Sequence, residues 1–295
     1  MILDDGAASN LFRRDPDQMI NVGGADVAYR KVGTGPDVLF VHGWPVSGAT
    51  FRKLLPHLVQ HVTCHLVDLP GSGSSRFDDD SPLSVRGHVE SVRRVVDALG
   101  LSNFSVVGHD SGGMIARHAL GADPRVRAFG LIDTEMSTGS SLKFRMFLAG
   151  RHFPGYGHVL AWLIGQPRLR RNRLVLGDAF VDSSLIDGDF DEFFLRPISH
   201  SRKGRIAAMR ILKTFRYSLV DDLREIHSRM NVPVVLVWGA QDRFFPVARA
   251  TKMLGEFRDA RLEVISDAGL FSHEERPAEV AKALLGTVAI SHESD

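Results

Sequence analysis

The chain has 295 residues, 44% of them hydrophobic and 24% charged, with a net charge of +1 at pH 7. These ordinary globular values can fill a large core, and near-neutrality gives no reason to invoke nucleic acid or an acidic surface. The one cysteine, Cys64, excludes a disulfide framework and points to a reducing compartment. Met1–Gly6 lacks a basic region followed by an apolar run, so no signal peptide is expected. No apolar run approaches ~18 residues, so no membrane span is expected either. A soluble, cytoplasmic protein follows.

Residues 1–17 are polar and mixed and predict a loosely packed arm. Met19 to Arg30 alternates around Gly23-Gly24, predicting a hairpin of two edge strands. Asp37–Val41 reads as a buried strand ending in His42-Gly43-Trp44-Pro45, with a helix from about Ser47 to Val59. Val62–Val67 is the next strand and leads into Asp68-Leu69-Pro70-Gly71-Ser72-Gly73-Ser74-Ser75, a Gly/Ser-rich loop. Leu83 to Leu99 is amphipathic and predicts a helix.

Asn103–Val107 then forms a short buried strand, and Met114–Leu120 has helical spacing. Between them lies Gly108-His109-Asp110-Ser111-Gly112-Gly113, with glycines two before and two after Asp110. A strand that turns abruptly into a helix around one such residue has the geometry of a nucleophile elbow. Taking Ser111 as the nucleophile shifts the frame and puts His109 where the first glycine belongs. Asp110 is therefore the nucleophile position, its carboxylate expected to be held ionised by the helix N-terminus.

Val126–Ile132 is a further strand, closing at Asp133. From Thr134 to Leu219 the strand–helix alternation stops, giving way to aromatic and basic helical stretches broken by Pro154, Pro167 and Pro197. Arg168, Arg170, Arg171 and Arg173 read as a solvated helix face. Alternation resumes with strand 232–238, helix 247–256, strand 261–265 and a last helix from Pro277. The expectation is an α/β fold, a mostly parallel sheet with helices on both faces. The core comprises 18–133 and 220–295, interrupted by a helical cap over 134–219.

Four segments carry a resemblance: His42-Gly43-Trp44-Pro45, the 68–75 loop, Gly108–Gly113, and Trp238-Gly239-Ala240-Gln241-Asp242. In this order they resemble the α/β-hydrolases, and His-Gly-x-Pro with Gly-x-Asp-x-Gly is similar to the branch of epoxide hydrolases and haloalkane or haloacetate dehalogenases. The resemblance implies that Asp110 attacks an sp³ carbon and forms an alkyl ester. It also implies an oxyanion hole from the backbone N–H groups of Trp44 and Ser111, and Asp242 as the acid behind a histidine base. Asp133 and Glu135 are a second place where some dehalogenases keep that acid. Phe271, Glu275 and Pro277 fit the closing motif, but Leu270 stands at the histidine position and leucine accepts no proton. His273, three residues on, is the alternative base, with a packing role as its competing interpretation; His42 and His109 are expected to support loops.

For an epoxide, cap tyrosines protonate the opening oxygen, so Tyr156 and Tyr217, with Trp44 and Phe271, are the expected substrate contacts, and His152 or His158 the substitute donors. The dehalogenase alternatives lack their usual halide-holding residues at Trp44 and Ser111. Asp110 with Leu270 describes a chain that binds, alkylates and stalls, either a variant without its base or a member with rerouted hydrolysis. A non-catalytic receptor for a small ligand is the alternative from another class. No metal or organic cofactor is implied, the partner is a small molecule rather than nucleic acid or membrane, and no oligomeric state follows.

Overall fold

The computed structural model describes residues 3–289. Nine strands form one sheet: β1 (Gln18–Asn21), β2 (Ala25–Gly33), β3 (Asp37–Val41), β4 (Thr63–Asp68), β5 (Arg76–Phe77), β6 (Phe104–His109), β7 (Val126–Ile132), β8 (Val234–Gly239) and β9 (Ala260–Ile265). Their order is β1-β2-β4-β3-β6-β7-β8-β9, with β5 paired to β2. The run from β4 through β9 is parallel, and β1, β2 and β5 are antiparallel additions. Strands buried on both faces read as continuous apolar runs, which is why β3, β6 and β8 are legible from composition. β2 is not an edge strand as expected, because its other side pairs with β4.

The N-terminal arm is also not loose. Asp4 caps a helix over Asp5–Arg13, its carboxylate accepting from Ala7 N–H at 2.7 Å, and Ala8 and Phe12 are buried. Arg13 pairs with Asp189 and Glu192. An apolar i, i+4 pair in a polar segment is a weak signal until its partner surface is known.

Between β7 and β8 the chain forms short helices, the longest being Arg202–Thr214. The arginine cluster there is split: Arg170 is buried and paired with Asp187 and Asp191, whereas Arg171 and Arg173 are exposed. Among the described residues no helix is long and apolar enough to cross a membrane. Cys64 is buried and free.

Candidate active site

β6 occupies the middle of the sheet, between β3 and β7, and runs straight into the helix Ser111–Leu120. The turn between them is Asp110, at φ 51° and ψ −137°, a conformation that costs a non-glycine residue free energy and persists only where its surroundings enforce it. The flanking glycines show why. A Cβ on Gly112 would lie 2.2 Å from the Val41 carbonyl oxygen, and one on Gly108 would lie 2.6 Å from the Gly113 Cα. Strand and helix pack this closely only without side chains there.

The Asp110 carboxyl is buried and held on one oxygen. Trp44 N–H donates to Asp110 Oδ2 at 2.9 Å and to Ser111 Oγ at 3.0 Å. Behind it, Thr134 Oγ1 donates to the Asp110 carbonyl at 2.7 Å. The expectation of a simply ionised Asp110 is corrected. Burial first, and the neighbouring Glu135 second, push this carboxyl well above the usual carboxylate range, against the N–H groups of Ser111 and Trp44. The helix terminus is present, but desolvation and a like charge oppose it.

Asp110 faces an apolar cavity of about 70 Å³ between the sheet and the helical insertion. Phe144, Leu148, Leu212 and Phe215 of the insertion line it, together with Leu270 and Phe271. Trp44 stands in its wall, its indole N–H donating to the Ala208 carbonyl at 3.1 Å. A larger, open cleft of about 210 Å³ lies beyond and shares Trp44, Pro45, Ser111 and Ile211 with it.

Neither expected cap tyrosine lines the Asp110 cavity. Tyr156 packs its ring against Gly150 and donates to the Phe147 carbonyl at 3.4 Å. Tyr217 is 40% exposed and crosses Phe215 edge-on. The helix ending at Thr214 turns Phe215 inward, and Tyr217, two residues on, outward. His152 and His158 line an outer surface pocket together with Tyr156 and are exposed.

The histidine position holds Leu270, buried and lining the cavity. Its loop is nonetheless firmly built. Glu275 accepts from Gly269 N–H at 2.6 Å and from Val181 N–H at 2.7 Å, and His109 Nε2 donates to the Leu270 carbonyl at 3.0 Å. Asp242, just past β8, accepts from Phe244 N–H at 2.7 Å and Phe245 N–H at 2.9 Å through Oδ1, while its buried Oδ2 has no partner. Burial pushes Asp242 up to about 7. An orphaned, buried carboxylate oxygen is what remains when a donor that would have faced it is absent.

His273 makes no hydrogen bond to that oxygen. It is fully buried, joined to Thr50 Oγ1 at 2.8 Å and packed 4.3 Å from His109 ring to ring. Burial, then Arg52 and Lys53, push it down to about 3. His42 serves its loop, Nδ1 donating to the Gly43 carbonyl at 2.9 Å and Nε2 accepting from Leu69 N–H at 2.8 Å. Asp133 is fully engaged, accepting from Gly239 N–H at 2.8 Å and Ser272 Oγ at 2.5 Å. Glu135 is different: it lines the cavity with Asp110, and burial pushes it up to about 7.

One participant escaped the sequence reading. Arg117, in the second turn of the elbow helix and buried, donates to Thr134 Oγ1 at 3.0 Å and to the Glu135 carbonyl at 2.7 Å. Its own charge is backed by His227, which bonds Glu256 at 2.8 Å. An arginine on the same helical face as Met114 and Leu120 was the available signal.

The alpha/beta hydrolase fold family model matches residues 36–277. The chain belongs to that family. It is 26% identical over 273 residues to a pimeloyl-acyl-carrier-protein methyl ester esterase of Chromobacterium violaceum, covering 83% of this chain and 92% of that one. The same enzyme of Xanthomonas campestris is 28% identical over 220 residues, covering 74% and 81%. Among solved structures, haloalkane dehalogenase from Bradyrhizobium elkani superposes with a TM-score of 0.76 at 20% identity, covering 91% and 96%. An α/β hydrolase fold protein from Burkholderia ambifaria gives 0.74 at 22%, covering 91% and 99%. At such identities these structures speak to fold alone. The chain is thus a hydrolase of the α/β fold, and its named sequence relatives are methyl esterases rather than epoxide hydrolases.

Proposed function

We propose that this hydrolase uses Asp110 as a nucleophile on a small apolar epoxide, forming an alkyl ester in a cavity roofed by the insertion as a lid. The observation that carries this reading is the hold on Asp110: Oδ2 lies on the Trp44 N–H at 2.9 Å in an apolar cavity. That leaves Oδ1 as the attacking oxygen, while the same N–H faces the charge that develops when the ester is hydrolysed. A serine esterase needs a hydroxyl between the elbow glycines and a histidine beside it. Here those positions are Asp110 and Leu270. A halide leaving group is disfavoured because the Trp44 indole N–H is committed to Ala208.

The test is incubation with butene oxide, followed by intact-mass measurement and peptide mapping. A butene oxide mass gain on the Asp110 peptide, absent in Asp110→Asn, supports the reading. Reversible binding with no gain in either form contradicts it and favours a receptor.

A further inference from the structure

The Asp110 chemistry needs two proton transfers, and the cavity has few groups able to make them. Among the described residues lining it, the side chains that ionise are Asp110 and Glu135. No histidine, tyrosine or lysine lines it. The Ser111 hydroxyl sits beside Oδ2 of Asp110 at 3.4 Å and accepts from Trp44 N–H, so it belongs to the oxyanion cradle. Glu135 is tied to Asp110 through one residue. Thr134 Oγ1 bonds the Asp110 carbonyl at 2.7 Å and lies 3.2 Å from Glu135 Oε2. One hydroxyl proton serves one of these bonds fully, and the shorter goes to Asp110. The Glu135 carboxyl is left with the longer, weaker share of that hydroxyl and stays free to exchange its proton with the cavity.

We propose that Glu135 is the proton-transfer residue of this site, giving its proton to the leaving oxygen and then taking one from the hydrolytic water. The proposal rests on Asp110 being the nucleophile. In the first step Asp110 Oδ1 bonds to an epoxide carbon, the ring carbon–oxygen bond breaks, and the oxygen takes the Glu135 proton. The products are a hydroxyalkyl ester and a Glu135 carboxylate. In the second step water bonds to Asp110 Cγ and gives one proton to Glu135, the oxyanion facing Trp44 N–H. The ester carbon–oxygen bond then breaks and the departing alkoxide takes the remaining water-derived proton. A diol leaves, with Asp110 ionised and Glu135 protonated, which restores the reacting form of the pair.

Two physical features favour this shuttle. Burial raises both carboxyls, Asp110 the further, so the pair keeps a proton through neutral pH. Attack proceeds from the form in which that proton sits on Glu135 and Trp44 N–H holds a charged Asp110. Esterification neutralises Asp110, so the repulsion opposing a Glu135 carboxylate vanishes when a base is required. Arg117, against the Glu135 carbonyl, stabilises that carboxylate. The same residue thereby fills the places of the absent tyrosine donor and the absent histidine base.

The leaving group separates this role from a structural one. Bromide leaves butyl bromide without a proton, whereas the ring oxygen of butene oxide needs one. Glu135→Gln should form the Asp110 adduct with butyl bromide as fast as the unmodified chain or faster. With butene oxide it should form the adduct roughly 10²–10⁴-fold more slowly, and both adducts should persist. Glu135→Asp, keeping the carboxyl, should recover part of both steps. If Glu135→Gln takes up and releases butene oxide like the unmodified chain, the Glu135 proposal is overturned while Asp110 stands. If it loses both electrophiles equally, Glu135 only supports the site. If the unmodified chain alkylates with neither, the Asp110 reading itself fails.

Discussion

The elbow and the Leu270 loop line one cavity, and they treat the family pattern differently. At the elbow, backbone and reacting group agree: Gly108 and Gly112 admit the close packing, and Trp44 N–H meets Asp110. At the loop, the scaffold is complete, but Leu270 stands where the resemblance puts a histidine. Glu275 pins Gly269, His109 holds the Leu270 carbonyl, and Asp242 keeps Oδ2 free in the interior. The difference teaches that a site's backbone and its reacting side chain are separable, because the loop is held by main-chain hydrogen bonds that make no use of the residue-270 side chain.

If that is so, a histidine should work there as soon as it is introduced. Leu270→His in the Glu135→Gln background should release the stalled butene oxide adduct roughly 10²–10⁴-fold faster. Adding Asp242→Asn should remove most of the gain, since the oxygen awaiting the imidazole is gone. Loss of adduct mass with time measures both.

Two buried carboxyls, Glu135 and Asp242, also predict a stability trend. Glu135 and Asp242 are both raised to about 7 in the fold, from ordinary values of 4.5 and 3.8. They therefore bind protons more tightly folded than unfolded. This contribution is full below the ordinary values and is lost as pH rises through about 7. Urea midpoints should fall between about pH 5 and pH 8, and Glu135→Gln or Asp242→Asn should flatten the fall.

The fold was largely legible, since buried parallel strands are apolar runs punctuated by glycine loops, as in Asp37–Val41 and Val234–Gly239. The places of Asp110 at the elbow, Trp44 beside it and Asp242 past β8 were legible because tight turns restrict which residues fit. The tyrosines were misplaced because the insertion has no such constraint, and two residues along an irregular turn reverse Phe215 and Tyr217. The state of Asp110 was misjudged because the helix terminus is visible in sequence while burial and Glu135 are not.

Smaller effects separate packing from chemistry. His273→Ala should cost about 1–3 kcal/mol in urea unfolding, leaving Thr50 without its partner, while adduct formation stays unchanged. Tyr217→Phe should change stability by less than about 0.5 kcal/mol and leave adduct formation untouched, as suits a solvent-facing ring.

The central claim is that Asp110 forms and loses a covalent ester. A single turnover of butene oxide in heavy-oxygen water, followed by peptide mapping, tests it most directly. Water that attacks Asp110 Cγ leaves its oxygen in the carboxyl group. The account predicts heavy oxygen in the Asp110 peptide and ordinary oxygen in the first diol released. Heavy oxygen in the first diol, with none in Asp110, would mean that water attacks the epoxide directly and would contradict the account.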